Sequence, residues 1–110
     1  MKKVLLATLL LTVATSAAVA KTGKEIYESS CIACHGADGK GAVPGAANFT
    51  DPKGPTSKSD KDLVNHIMNG YQSPGSPMAM PAKGGNANMT EDEAKDSLKY
   101  IRDTFEEKKK

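Results

Sequence analysis

Apolar side chains recur at helical spacing in three places along the chain and run together in a fourth. In the first, Gly23, Ile26, Tyr27 and Ser30 share one side of a segment that runs into Cys31. Two of the four are small, which suits a close helix crossing. Thr22, with Glu25 three residues on, is the signature of a capping box at its start. The second segment opens at Ser59, with Asp62 three residues on, and carries Leu63, Val64, Ile67, Met68 and Tyr71 on one face. Gly70 is its stop signal. The third opens at Thr90, where Glu93 completes another capping box. Ala94, Leu98, Ile101 and Phe105 then form a narrow stripe at i, i+4, i+7 and i+11. Met89, just before the cap, is placed to act as a hydrophobic staple. Lys108 to Lys110 are expected to end this helix, where cations favour its dipole. Strand-like alternation is absent, so the pattern predicts an all-α fold.

The fourth apolar group is of another kind. Lys2 and Lys3 precede a mostly apolar run from Val4 to Val13, and Ala18-Val19-Ala20 is a small-residue cleavage site. This reads as a secretory signal peptide over 1–20, too short for a membrane span. The mature chain is expected to be a single domain over 21–110, exported to the periplasm. Lys2 and Lys3 are 2 of the 15 basic residues, so the other 13 balance 13 acidic ones. The formal charge of +2 therefore disappears with the leader, and no general affinity for nucleic acid or anionic membrane is indicated. The two loops between the helices, 36–58 and 72–89, are rich in Gly and Pro. Loops of such length in a small domain call for a functional reason.

The run Cys31-Ile32-Ala33-Cys34-His35 supplies one. Two thiols three residues apart, followed directly by histidine, form the attachment sequence of a covalent c-type haem. The sulfurs add across the two vinyl groups, and His35 can bind the iron as proximal ligand. A structural zinc site would need a second pair of ligands, and His66 is the only other histidine. A redox-active dithiol would want a βαβ context that the pattern does not provide. The motif occurs once, which implies one haem. The mature chain has only five aromatic residues and no Trp, so its own core is thin, and a buried haem would enlarge it.

With these residues the chain resembles the class I cytochromes c. Gly23 to Tyr27 and Cys31 to Gly41 look like their amino-terminal half. Met80-Pro81-Ala82-Lys83-Gly84-Gly85, then Thr90 to Glu93 and Tyr100-Ile101, look like their ligand loop and last helix. The 79–85 stretch is closest to the small bacterial c5 type, although the cysteine pair of the c5 ligand loop is missing. The resemblance implies a class I cytochrome c fold of three or more helices, with long loops wrapped around one covalent haem. It also implies that Tyr27 and Tyr100 meet where the first and last helices cross.

The resemblance further implies a methionine as second axial ligand, a neutral soft donor that raises the potential. Met80 is the expected ligand, in a Pro-rich loop just before Pro81, which restricts its backbone. Met78, in the same loop, is the rival; Met68 reads as core filler. His66 lies off the apolar stripe of its helix and is expected to be exposed. Pro44 is expected to offer its carbonyl to the proximal imidazole, as a loop proline does in the family.

With both axial positions filled, the expected function is one-electron transfer by a soluble periplasmic carrier, not an enzyme. Its partners would be membrane oxidoreductases, terminal reductases or oxidases, or other cytochromes, and the expected state is a monomer. The alternative is a haem-based sensor or weakly catalytic haem domain whose methionine is displaceable.

Overall fold

The computed structural model describes residues 21–106; the expected signal peptide lies outside that range, as do Lys108–Lys110. Thr22 Oγ1 accepts the Glu25 amide at 3.2 Å and starts α1, Gly23–Ser30. Cys31 closes α1 and at once opens the short α2, Ile32–His35, which the apolar periodicity did not reveal. Ser59 caps α3, Asp60–Asn69, by accepting the Asp62 amide, and Gly70 ends it. Thr90 and Glu93 form the full reciprocal capping box of α4, Glu91–Phe105. Short 3-10 turns at Pro55–Ser57 and Ala82–Gly85 punctuate the loops. Among the described residues the only β-type pairing is an isolated antiparallel bridge between Tyr71 and Met80. The architecture is all-α, and no described helix is long and apolar enough to cross a membrane.

Two clusters of buried side chains hold the helices together. Ile26 joins Val64 and Ile67 of α3 to Ala94 and Leu98 of α4, with Met89 as the staple beneath the α4 cap. Met68 packs on the edge of this cluster, in keeping with its expected role as filler. The second cluster is aromatic and lies where α1 crosses α4: Tyr27, Cys31, Ile101 and Phe105, with Tyr100 and Phe49 against them. The Tyr27 and Tyr100 rings do meet, their centroids 5.4 Å apart. The four stripe residues of α4 are all buried. α4 stops at Phe105, where Glu106 turns to extended backbone, so the helix ends before Lys108–Lys110 and the expectation that those lysines close it does not hold.

Arg102 supplies a fastening that periodicity could not show. From α4 its Nη1 donates to the Thr56 carbonyl and its Nη2 to the Lys58 carbonyl, each at 2.8 Å, while Nε pairs with Asp60 at 2.7 Å. One planar fork thus ties the 55–58 turn and the start of α3 to the last helix. Arg102→Ala is expected to cost about 2–3 kcal/mol in chemical denaturation, since the buried Thr56 loses its carbonyl's partner. Arg102→Lys should recover less than half of that, because an ammonium cannot span the fork. Parent-like midpoints in both variants would refute the clamp.

Candidate functional site

α2 brings the three residues of the attachment motif together. Cys31 is its N-cap, and the amides of Cys34 and His35 both reach the Cys31 carbonyl, at 3.3 and 3.0 Å. Cys34 and His35 face the cleft beside this turn, whereas the Cys31 side chain is buried against Tyr27, Ile101 and Phe105. The following loop then folds back over the motif. Gly41 N–H donates to the His35 carbonyl at 2.9 Å and Ala42 N–H to the Cys34 carbonyl at 2.7 Å, satisfying the orphan acceptors at the helix end.

The His35 imidazole is buried and stacks on Phe49, with ring centroids 4.4 Å apart. Its Nδ1 lies 3.2 Å from the Ala47 carbonyl, which leaves Nε2 as the nitrogen available to a metal. Burial lowers the His35 pKa, partly offset by that carbonyl. The ring is therefore held neutral, as a metal ligand must be.

The expectation for Pro44 is corrected here, because the acceptor is Ala47. The Val43 carbonyl accepts the Ala46 amide at 3.1 Å, and Gly45 has a φ of +85°. Pro and then Gly with positive φ at the two central positions form a type II turn. Pro44 makes that turn on the wall of the cavity, and the chain it redirects delivers Ala47 to the imidazole. The Pro-Gly pair was the sequence signal for it.

Beside His35 lies an open cleft with a cavity volume of about 80 Å³. Cys34, His35 and Met80 line it, along with Tyr71 and parts of both Gly- and Pro-rich loops. Met78 lines it too, yet its side chain is 54% exposed. Met80 is half-buried against the core and its backbone is pinned on both sides: its amide donates to the Tyr71 carbonyl at 2.7 Å, and its carbonyl accepts the Tyr71 amide at 3.1 Å.

Phe49 also borders a second, apolar hollow of about 60 Å³ with Leu63, Ile67, Leu98 and Ile101. His66 borders this hollow and not the first. The expectation that it is exposed does not hold. It is half-buried, because the chain reverses after Gly70 and lays the Tyr71 ring on the imidazole, centroids 4.0 Å apart.

The donor set fits haem c. Neither cysteine is engaged in a disulfide, His35 and Met80 line the same cleft as Cys34, and no Asp, Glu, Lys or Arg is among the lining residues. A redox-active dithiol needs a lowered thiol pKa, whereas burial and then Cys34 push Cys31 up to about 11.

Tyr27 supports the motif from behind, its hydroxyl donating to the Gly36 carbonyl at 2.6 Å. Burial first, then Cys31, Tyr100 and Asp38, raise its pKa to about 12. An unfolded tyrosine titrates near pH 10, so this group's contribution to stability is whole below about pH 10 and is lost between there and pH 12. Tyr27→Phe is expected to cost about 1 kcal/mol at neutral pH. It should also flatten the fall of the denaturation midpoint across that alkaline window. A variant with the parent's full alkaline slope would contradict this role.

An all-α fold that presents a Cys-x-x-Cys-His turn to an uncharged cleft defines a haem-attachment protein of the c type. The Cytochrome c family model matches residues 20–105. The chain is 34% identical over 85 residues to cytochrome c-555 of Prosthecochloris aestuarii, covering 72% of this chain and 81% of that one. It is 32% identical to cytochrome c-555 of Chlorobaculum tepidum, over 74% of this chain and 73% of the other. Cytochrome c-555 of Chlorobaculum thiosulfatiphilum is 31% identical, over 74% and 92%. The chain belongs to the cytochrome c family. It is a small class I c-type cytochrome that binds covalent haem c and carries electrons to and from redox partners, and it is not an enzyme.

Proposed function

We propose that this protein is a periplasmic monohaem carrier in which Cys31 and Cys34 form the thioethers and His35 and Met80 are the axial ligands. Residues 1–20 act as a signal peptide and are removed, and 21–110 form the one haem domain. The observation that carries the reading is the shared cleft, with a neutral, oriented imidazole and a backbone-anchored thioether among its lining residues. When bound, the haem supplies a single ferric/ferrous couple. The chain's part is to hold both donors through the change. Ala47 fixes the His35 ring, and the Tyr71 bridge fixes the Met80 backbone. The low aromatic content fits this division of labour, since the cofactor completes the core. Partners are membrane oxidoreductases, terminal reductases or oxidases, or other cytochromes.

Intact mass and a redox titration of the exported protein test the reading together. The expected mass is that of the chain from Lys21 plus one haem. Alkylation should find no free thiol, and the titration should be reversible and follow a one-electron curve. A retained leader, reactive cysteines or a non-reversible couple would each contradict it.

A further inference from the structure

The charges are segregated along this chain, and the cleft is lined from stretches without them. One charge comes near: Lys58 Nζ lies 4.7 Å from the centroid of the Tyr71 ring, which lines the cleft. Residues 29–37, 41–50 and 63–82 contain no Asp, Glu, Lys or Arg. Every residue lining the cleft falls in one of these three stretches. The exposed ones among them, including Pro44, Gly45, Ser73, Met78 and Ala79, form its mouth. The two loops at that mouth also touch each other. A Cβ built on Gly45 would run into Ser76 Oγ and lie 3.2 Å from Pro77 Cδ, so the rim is continuous across them. Internal bonds shape the second loop, with Gln72 Nε2 donating to the Ser76 carbonyl and Ser76 Oγ to the Met78 carbonyl. On this rim stands Met78, the one exposed large hydrophobic side chain among the described residues.

From this geometry we propose that the uncharged rim around Met78 is the electron-transfer docking surface, and that it takes a redox protein whose own docking face is uncharged and apolar. This rests on the carrier reading above. A charged partner face pressed on such a rim would shed water and counter-ions and find no opposite charge in return. An apolar face, by contrast, gains from burying Met78 and the Pro and Ala side chains beside it. Met78 is suited to the centre of such a contact, because a flexible thioether adapts to surfaces of different shape. The remaining charges are balanced in number, so they supply little long-range steering. Docking should therefore be nearly indifferent to salt.

A second copy of this chain presents the required face by construction, so electron self-exchange between ferrous and ferric holoprotein is the test. The rate is read from NMR line broadening at about 10 mM and about 1 M salt, where the screening length falls from roughly 30 to 3 Å. The parent is expected to change less than about twofold between the two. Met78→Lys sets like charges face to face, and should slow exchange about tenfold or more at low salt, with high salt restoring most of the loss. Thr104→Lys, which adds the same charge to an exposed position of α4 that does not line the cleft, should exchange like the parent. The proposal is overturned by a steep salt dependence in the parent, or by a Met78→Lys rate equal to that of Thr104→Lys. It is also overturned by a parent with a reversible couple but no measurable exchange. A parent with no reversible couple instead overturns the carrier reading beneath it.

Discussion

Gly23→Val is expected to destabilise the protein by about 3–5 kcal/mol, a large part of the ~5–15 kcal/mol that holds a domain of this size. Gly23 is the first residue of α1, and there α1 meets α4 backbone to backbone. A Cβ at this position would collide with the Asp96 carbonyl oxygen and lie 2.8 Å from the carbonyl carbon and 3.1 Å from Tyr100 Cβ. The obstacle is main chain inside a helix, so no rotamer change can relieve it. The helices would have to part, and parting them opens the Tyr27–Tyr100–Phe105 cluster just below the crossing. Cys31 belongs to that cluster, so the loosening reaches the attachment turn. Gly23→Ala should show a smaller loss in the same direction, and Lys24→Ala, on the exposed side of α1, almost none. Denaturant midpoints of the holoproteins measure all three. A Gly23→Val protein within about 0.5 kcal/mol of the parent would mean that the helices do not touch there.

That crossing was half legible in the sequence. Gly23 and Ser30 beside Ile26 and Tyr27 announced a close contact, but only the fold shows that Asp96 is what Gly23 meets. Helix starts were legible for a local reason: Thr22, Ser59 and Thr90 each accept an amide three residues ahead, an interaction contained within one turn. The α4 stripe was legible because burial repeats with the helix period. What stayed hidden depends on residues far apart in sequence. The partners of Arg102, namely Thr56, Lys58 and Asp60, lie more than forty residues away, so no local pattern marks the clamp. His66 was expected in solvent because its own helix puts it off the stripe; the ring that covers it arrives only after the turn at Gly70. At the candidate site, motif chemistry marked Cys31, Cys34 and His35, while the acceptor for Nδ1 depended on how a Pro-Gly turn aims three residues of loop.

Met80→Ala is expected to have the largest effect on function. The Met80 backbone is fixed to Tyr71 through two hydrogen bonds, and the reversal that makes this pairing possible requires Gly70. Gly70 has a φ of +83°, and a Cβ there would lie 2.9 Å from the Met80 carbonyl oxygen. The next residue, Pro81, holds Met80 extended, so little loop entropy remains to be lost when its sulfur takes up a ligand position. Met78 has no such backbone pairing to α3's end and is mostly in solvent. On the proposed His35/Met80 ligation, removing the Met80 thioether takes away the neutral soft donor that favours the ferrous state. The potential should then fall by tenths of a volt, out of the ~0.8 V that axial ligands command. Met78→Ala should leave the potential nearly unchanged.

The most direct measurement is the visible spectrum of the mature holoprotein and these two variants, ferric and then ferrous, with and without carbon monoxide. With His35 and Met80 as ligands, the ferric parent shows the weak red-edge band of methionine–iron ligation, and its ferrous form does not shift with carbon monoxide. Met78→Ala keeps both properties. Met80→Ala loses the band and takes up carbon monoxide at once. A band that survives in Met80→Ala or vanishes in Met78→Ala would contradict the ligand assignment. Immediate carbon monoxide uptake by the parent would mean an open iron, and a sensor or catalyst in place of a carrier.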